Sequence, residues 1–162
     1  MRALTLTPPW TGVVAAGLKL VENRDRSIIR REDFGKPFAL HAGRKVDAKV
    51  FETIYRIAPE LRPDPAMGCA QPRWYQLSQI TSAVIAIATV VDVVFDRSGL
   101  LVSDIRRQLG PQSRWWFADQ YGYVLRDIVT LATPVPCRGW QGFWTLPQKI
   151  ERAVAAQIAG PA

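Results

Sequence analysis

The stretch that most constrains the fold is residues 81–95, where Thr81, Val84, Ile85, Ile87, Thr89, Val90, Val91, Val93 and Val94 crowd β-branched side chains together. Branching at Cβ restricts χ1 against a helical turn and packs well on a pleated surface, so the segment reads as strand. It is longer than an average strand and Asp92 interrupts its apolar end, which predicts one long curved strand or a strand pair.

Shorter signals place the other elements around it. Residues 2–7 read as a first strand. Thr7, Pro8 and Pro9 then signal a helix start, with the threonine oxygen as cap and proline in the first turn. Trp10, Val13, Val14 and Leu18 recur at helical spacing, and Gly17 suits the left-handed position that stops a helix. Residues 25–36 are polar and mixed in charge, residues 38–42 form a strand that delivers His41, and residues 43–45 are its turn. Asp47 is placed to cap a helix carrying Val50, Phe51, Ile54, Tyr55 and Ile57. Four prolines within residues 59–72 (Pro59, Pro63, Pro65, Pro72) predict an irregular loop outside the sheet. Residues 100–109 have helical spacing, residues 121–132 and 137–146 close the sheet, and a C-terminal helix runs from about Pro147. Leu4, Leu6, Leu40, Val84, Ile85, Val90, Val124 and Leu125 are the expected core. At 162 residues and 48% hydrophobic content, residues 1–162 make one domain with a real core.

A formal charge of +7 favours a polyanionic partner. The excess is partly local, since residues 19–49 hold nine Lys or Arg against five Asp or Glu. Cys69 and Cys137 lie far apart and His41 is the one histidine, so the expectation is no Cys/His metal site, no cofactor and two free thiols in a reducing compartment. The N-terminus lacks the regions of a signal peptide, and the longest apolar run, 83–91, falls short of the roughly 20 residues a membrane span requires. The expected location is cytoplasmic, with no membrane partner.

Chemistry concentrates in Gly17-Leu18-Lys19-Leu20-Val21-Glu22-Asn23-Arg24, a G-x-K-x-x-E-x-R run directly after the first helix. In an extended segment Glu22 and Arg24 share a side, and Lys19 sits at the helix exit. The run supports either a Lys–Glu–Arg clamp that holds the helix exit, or a site in which Lys19 and Arg24 meet phosphate while Glu22 orients them or accepts a proton. Arg44 and Lys45 extend the basic surface. His41 is either a hydrogen-bonded structural residue or part of a site. Among the tryptophans, Trp10 adjoins the run and is the first candidate for stacking on a base; Trp74, Trp115 and Trp116 border loops, while Trp140 and Trp144 read as barrel packing.

Several blocks in order carry a resemblance. Leu4-Thr5-Leu6-Thr7-Pro8-Pro9-Trp10 before the G-x-K-x-x-E-x-R run, Phe38-Ala39-Leu40-His41-Ala42-Gly43-Arg44-Lys45 after it, Tyr121-Gly122-Tyr123-Val124-Leu125, and Pro136-Cys137-Arg138-Gly139-Trp140-Gln141-Gly142-Phe143-Trp144 together resemble the ASCH domain family of the PUA-like superfamily. The resemblance spans roughly residues 3–147. It implies an α+β fold, a PUA-like mixed β-barrel with flanking helices, and a cleft facing RNA or a modified nucleoside. The cleft residues it implies are Trp10, Lys19, Arg24, His41, Arg44, Lys45 and Tyr121. Some ASCH-type proteins are amidohydrolases of N4-acetylcytidine that use a lysine, a threonine and a more distant glutamate. Lys19 matches that lysine, but the threonine position falls on Glu22, and Asp92 is the only acidic stand-in suggested for the glutamate. A hydrolase, amidohydrolase-like or ribonuclease, would then rest on Lys19 and Glu22 as its acid–base pair. A protein-interaction module is the third reading of the same basic surface.

Overall fold

A computed structural model of the chain describes residues 1–64, 71–96, 99 and 101–159. Six strands, β1 (Arg2–Leu6), β2 (Val21–Arg24), β3 (Pro37–Ala42), β4 (Ala83–Val94), β5 (Tyr121–Pro136) and β6 (Phe143–Thr145), form one sheet in the order β2-β5-β4-β3-β1-β6. Only β1 and β3 run parallel; the other neighbours are antiparallel. The sheet curves as a half-barrel and is flanked, among the described residues, by five helices: α1 (Trp10–Ala15), α2 (Ala48–Ile57), α3 (Arg73–Ser78), α4 (Val102–Leu109) and α5 (Gln148–Ile158).

The β-branched run is a single twelve-residue strand, β4, which pairs with β3 on one edge and β5 on the other. Residues 83–90 are buried without a break because both faces of the sheet are covered there. Ile85, Ala88 and Val90 face the main core with Leu4, Leu40 and Leu125, whereas Val84 and Ile87 meet Val154 of α5. A strand covered on two faces favours apolar side chains at successive positions, with Thr89 the one polar residue among 83–90, which is why its sequence does not alternate. Of the expected core, only Val124 is partly exposed.

Strand β5 runs four residues beyond the expected end at Ala132, through Pro134 and Pro136. β2 covers its outer edge only from Tyr121 to Val124. Cys137 donates its N–H to Ser82 O on the β4 side, so the nitrogen of Pro136 faces the unpaired edge and no ladder bond is lost. At the start of α1, Thr7 contributes its backbone rather than its hydroxyl: Trp10 N–H donates to Thr7 O at 2.9 Å, the Thr7 side chain is exposed, and the Pro8–Pro9 bond is cis. Gly17 takes φ +75° at the helix exit, where an L-residue would be strained. Asp47 caps α2, its carboxylate accepting from Lys49 N–H at 3.0 Å. Within the proline-rich segment, Pro59–Leu61 is a single 3₁₀ turn and Pro72 precedes α3. Pro65, Gly68 and Cys69 lie outside the described residues.

A candidate nucleic-acid interface

The ends of β1, β2 and β3, the turn around Gly43 and Arg44, and the segment between β5 and β6 surround a cleft of about 1130 Å³. Its walls carry four arginines, Arg24, Arg26, Arg44 and Arg138, against one carboxylate, Asp25. The topology produces this concentration. Parallel pairing aligns the C-terminal ends of β1 and β3, and Arg24 at the end of β2 reaches them by donating from Nη2 to Thr5 O at 3.0 Å.

The floor is a continuous hydrogen-bond chain. Trp144 Nε1 donates to Thr5 Oγ1 at 3.1 Å, Thr5 Oγ1 lies 3.3 Å from His41 Nδ1, and His41 Nε2 lies 3.0 Å from Cys137 O. A carbonyl only accepts, so Nε2 carries the imidazole proton, and Nδ1 accepts from the threonine hydroxyl. Burial pushes the His41 pKa down, with the Cys137 carbonyl opposing it in part. His41 is therefore a neutral group with both nitrogens engaged, a floor tile rather than a free base. Burial likewise pushes the Cys137 thiol up. Gly139 lies directly on the His41 ring: a Cβ there would sit 2.3 Å from Cε1.

Trp140 stands over this floor with 46% of its surface exposed. Its ring centroid lies 4.9 Å from that of Trp144, and the Arg138 guanidinium is 5.5 Å from it. An exposed indole beside cations is a platform for an unstacked base. From the sequence, Trp140 is expected to pack the barrel. It lies instead on the cleft, because β6 begins only at Phe143 and the preceding residues are loop.

The expected site residues divide. Arg24, His41 and Arg44 line the cleft. Lys45 is an exposed neighbour of Arg44 that does not line it. Trp10 packs edge-on against Trp115 at 6.2 Å, and Tyr121 stacks on Phe95 at 4.0 Å; neither lines the cleft. Trp74, Trp115 and Trp116 are buried in a second core around α2 and α4, so they offer no stacking face. Lys19 and Glu22 are buried behind Arg24. Lys19 Nζ lies 3.1 Å from Glu22 Oε2, also donates to Val21 O, and stands 5.3 Å from the Trp10 ring centroid. Burial pushes the Lys19 pKa down, the Glu22 charge and hydrogen bond pull it back, and Arg24 adds to the lowering. Asp92 is exposed, with Oδ2 accepting from Gln108 Nε2 at 2.8 Å. Arg26, Arg138 and Trp140 were missed by the sequence reading. The tripeptide Arg138-Gly139-Trp140, in which the small residue lets its neighbours flank one point, is the signal that marks two of them.

Among the described residues, no group of three or more His, Cys, Asp or Glu is disposed to hold a metal ion, and no helix is long and apolar enough to cross a membrane.

The fold is that of ASCH domain structures. An ASCH protein from Zymomonas mobilis superimposes with a TM-score of 0.55 at 14% sequence identity, over 96% of this chain and 93% of that one. A serine-to-alanine mutant of the Zymomonas mobilis protein gives 0.54 at 15% identity, over 96% of this chain and 94% of that one. A tyrosine-to-phenylalanine mutant gives 0.54 at 15%, over 96% of each chain. No family model matches the chain, and no curated protein matches it.

Proposed function

We propose that this protein binds RNA, or a modified nucleoside within RNA, in the arginine-lined cleft. The observation that carries the reading is the pairing of four arginines with an exposed tryptophan around one concavity. Cations meet the phosphodiester backbone and the indole meets a base, the two components of single-strand recognition. At about 1130 Å³ the cleft exceeds the roughly 300–1,000 Å³ of a small-molecule pocket, which favours more than a lone nucleoside. No observation favours the hydrolase reading to the same degree. Its acid–base pair, Lys19 and Glu22, is in mutual contact but does not line the cleft, and proton transfer requires reach to the substrate.

Incubating the protein with a labelled single-stranded RNA and a panel of acylated nucleosides tests the reading. Retention of RNA without consumption of either species is the expected result. Turnover of a nucleoside with no RNA retention would replace binding with hydrolysis.

A further inference from the structure

The three charged residues of the G-x-K-x-x-E-x-R run form one chain of contacts graded from core to cleft. Lys19 Nζ lies 3.1 Å from Glu22 Oε2, Glu22 Oε1 lies 3.0 Å from Arg24 Nη2, and the same Nη2 donates to Thr5 O at 3.0 Å. Side-chain exposure rises along it, 2% for Lys19, 7% for Glu22 and 24% for Arg24. Only the last member lines the cleft.

We infer that Glu22 and Lys19 are positioning residues for Arg24: Glu22 fixes the guanidinium at the cleft wall, and Lys19 cancels the charge of Glu22 so that Arg24 still attracts an anion. This rests on the RNA-binding reading of the cleft.

A carboxylate is a natural anchor for a guanidinium, but a Glu–Arg pair alone is neutral and offers a phosphate little attraction. Adding one buried lysine returns the cluster to a net single positive charge, and Arg24 is the member that faces solvent. The backbone supports the same end. Asn23, on the opposite side of β2, donates from Nδ2 to Trp115 O and accepts from Phe117 N–H at 3.0 Å, so the strand that carries Glu22 and Arg24 is held from behind. Arg24 Nη2 is committed to Glu22 and Thr5 and Nε is buried without a hydrogen-bond partner among the described residues, while the side chain as a whole keeps 24% of its surface exposed at the cleft wall. The three-residue spacing from Lys19 to Glu22 and the two-residue spacing from Glu22 to Arg24 follow. The first lets a side chain at the helix exit fold back onto the strand, and the second keeps both strand residues on one face.

The test measures the salt dependence of binding of a fluorescently labelled single-stranded RNA by anisotropy. The proteins compared are the wild type, Arg24→Ala, Glu22→Gln and the double variant Lys19→Met/Glu22→Leu. The double variant leaves the net charge unchanged and replaces a buried ion pair with apolar groups, a change that buried pairs commonly tolerate. Thermal unfolding checks that each variant folds. The expected result is that Arg24→Ala and the double variant each flatten the log–log salt slope by about 0.7, the loss of one phosphate contact. Adding Arg24→Ala to the double variant should then change nothing further. Glu22→Gln covers the case in which the double variant does not fold. It removes an anion beside an anion-binding cleft, so a pure field effect would tighten binding, whereas loss of positioning weakens it. Wild-type slope in the double variant, or tighter binding by Glu22→Gln, would overturn the inference while the RNA-binding reading stands. Absence of RNA binding by the wild type would overturn that reading and the inference with it.

Discussion

Gly139→Ala is the substitution whose effect the geometry fixes most closely. The added Cβ would lie 2.3 Å from His41 Cε1, 2.4 Å from His41 Nδ1 and 2.8 Å from Thr5 Oγ1. Ordinary carbon contact begins near about 3.5 Å, so the loop or the ring must retreat by about 1.2 Å. The ring is poorly able to do so: one nitrogen lies beside Thr5, the other beside Cys137 O, and Trp144 packs edge-on at 5.7 Å. The loop of residues 138–142 therefore moves, carrying Arg138 and Trp140 with it. Overpacking of this kind costs about 1–3 kcal/mol, and for a chain of this length each kcal/mol lowers Tm by about 2–4 °C. Urea unfolding measures the first effect and RNA anisotropy the second, where displacement of Arg138 removes about 0.7 from the salt slope. A Gly139→Ala protein with wild-type stability and wild-type slope would refute the close approach of this loop to the cleft floor.

The remaining predictions concern the floor and the platform. Burial holds the His41 pKa below its ordinary value, so the unfolded chain takes up that proton more readily than the folded one. The stability contributed is complete above about pH 6.5 and is lost as the pH falls through the lowered folded value, at no more than about 1.4 kcal/mol per pH unit for one proton. Urea unfolding at pH 7 and pH 5 should therefore show a steeper loss for the wild type than for His41→Asn, and equal losses would contradict it. Trp140→Ala should weaken RNA binding by about 1–3 kcal/mol if one base stacks there, yet leave stability within about 0.5 kcal/mol because the ring is half exposed. Unchanged affinity would move the base elsewhere.

The sheet was legible in the sequence because its signals are local. The branching of residues 81–95, the Gly17 stop and the Asp47 cap each act within a few residues of themselves. The extent of β5 was not legible, since whether Pro136 can lie in a strand depends on which edge its nitrogen faces, a property of the partner strand. The site was legible in part for the same reason. Glu22 and Arg24 share a face by strand periodicity and do meet. That Lys19 turns inward toward Trp10 while Arg24 turns to the cleft is set by the packing of α1 against its neighbours, which no spacing rule contains. Trp140 was assigned to the barrel because an aromatic residue near a chain's closing strand usually packs there. Strand β6 starts at Phe143, six residues later than the sequence suggests, and that reverses the assignment.

If the arginine-lined cleft is the surface that meets RNA, its arginines set the salt dependence of binding. Four phosphate contacts, one for each of Arg24, Arg26, Arg44 and Arg138, give a log–log slope near about −2.8 for a single strand, or about a 50-fold loss of affinity between about 50 and 200 mM salt. Replacing Arg44 and Arg138 together with alanine should halve that slope to about −1.4 and reduce the loss to about sevenfold. A double variant that retains the wild-type slope would place RNA on another face.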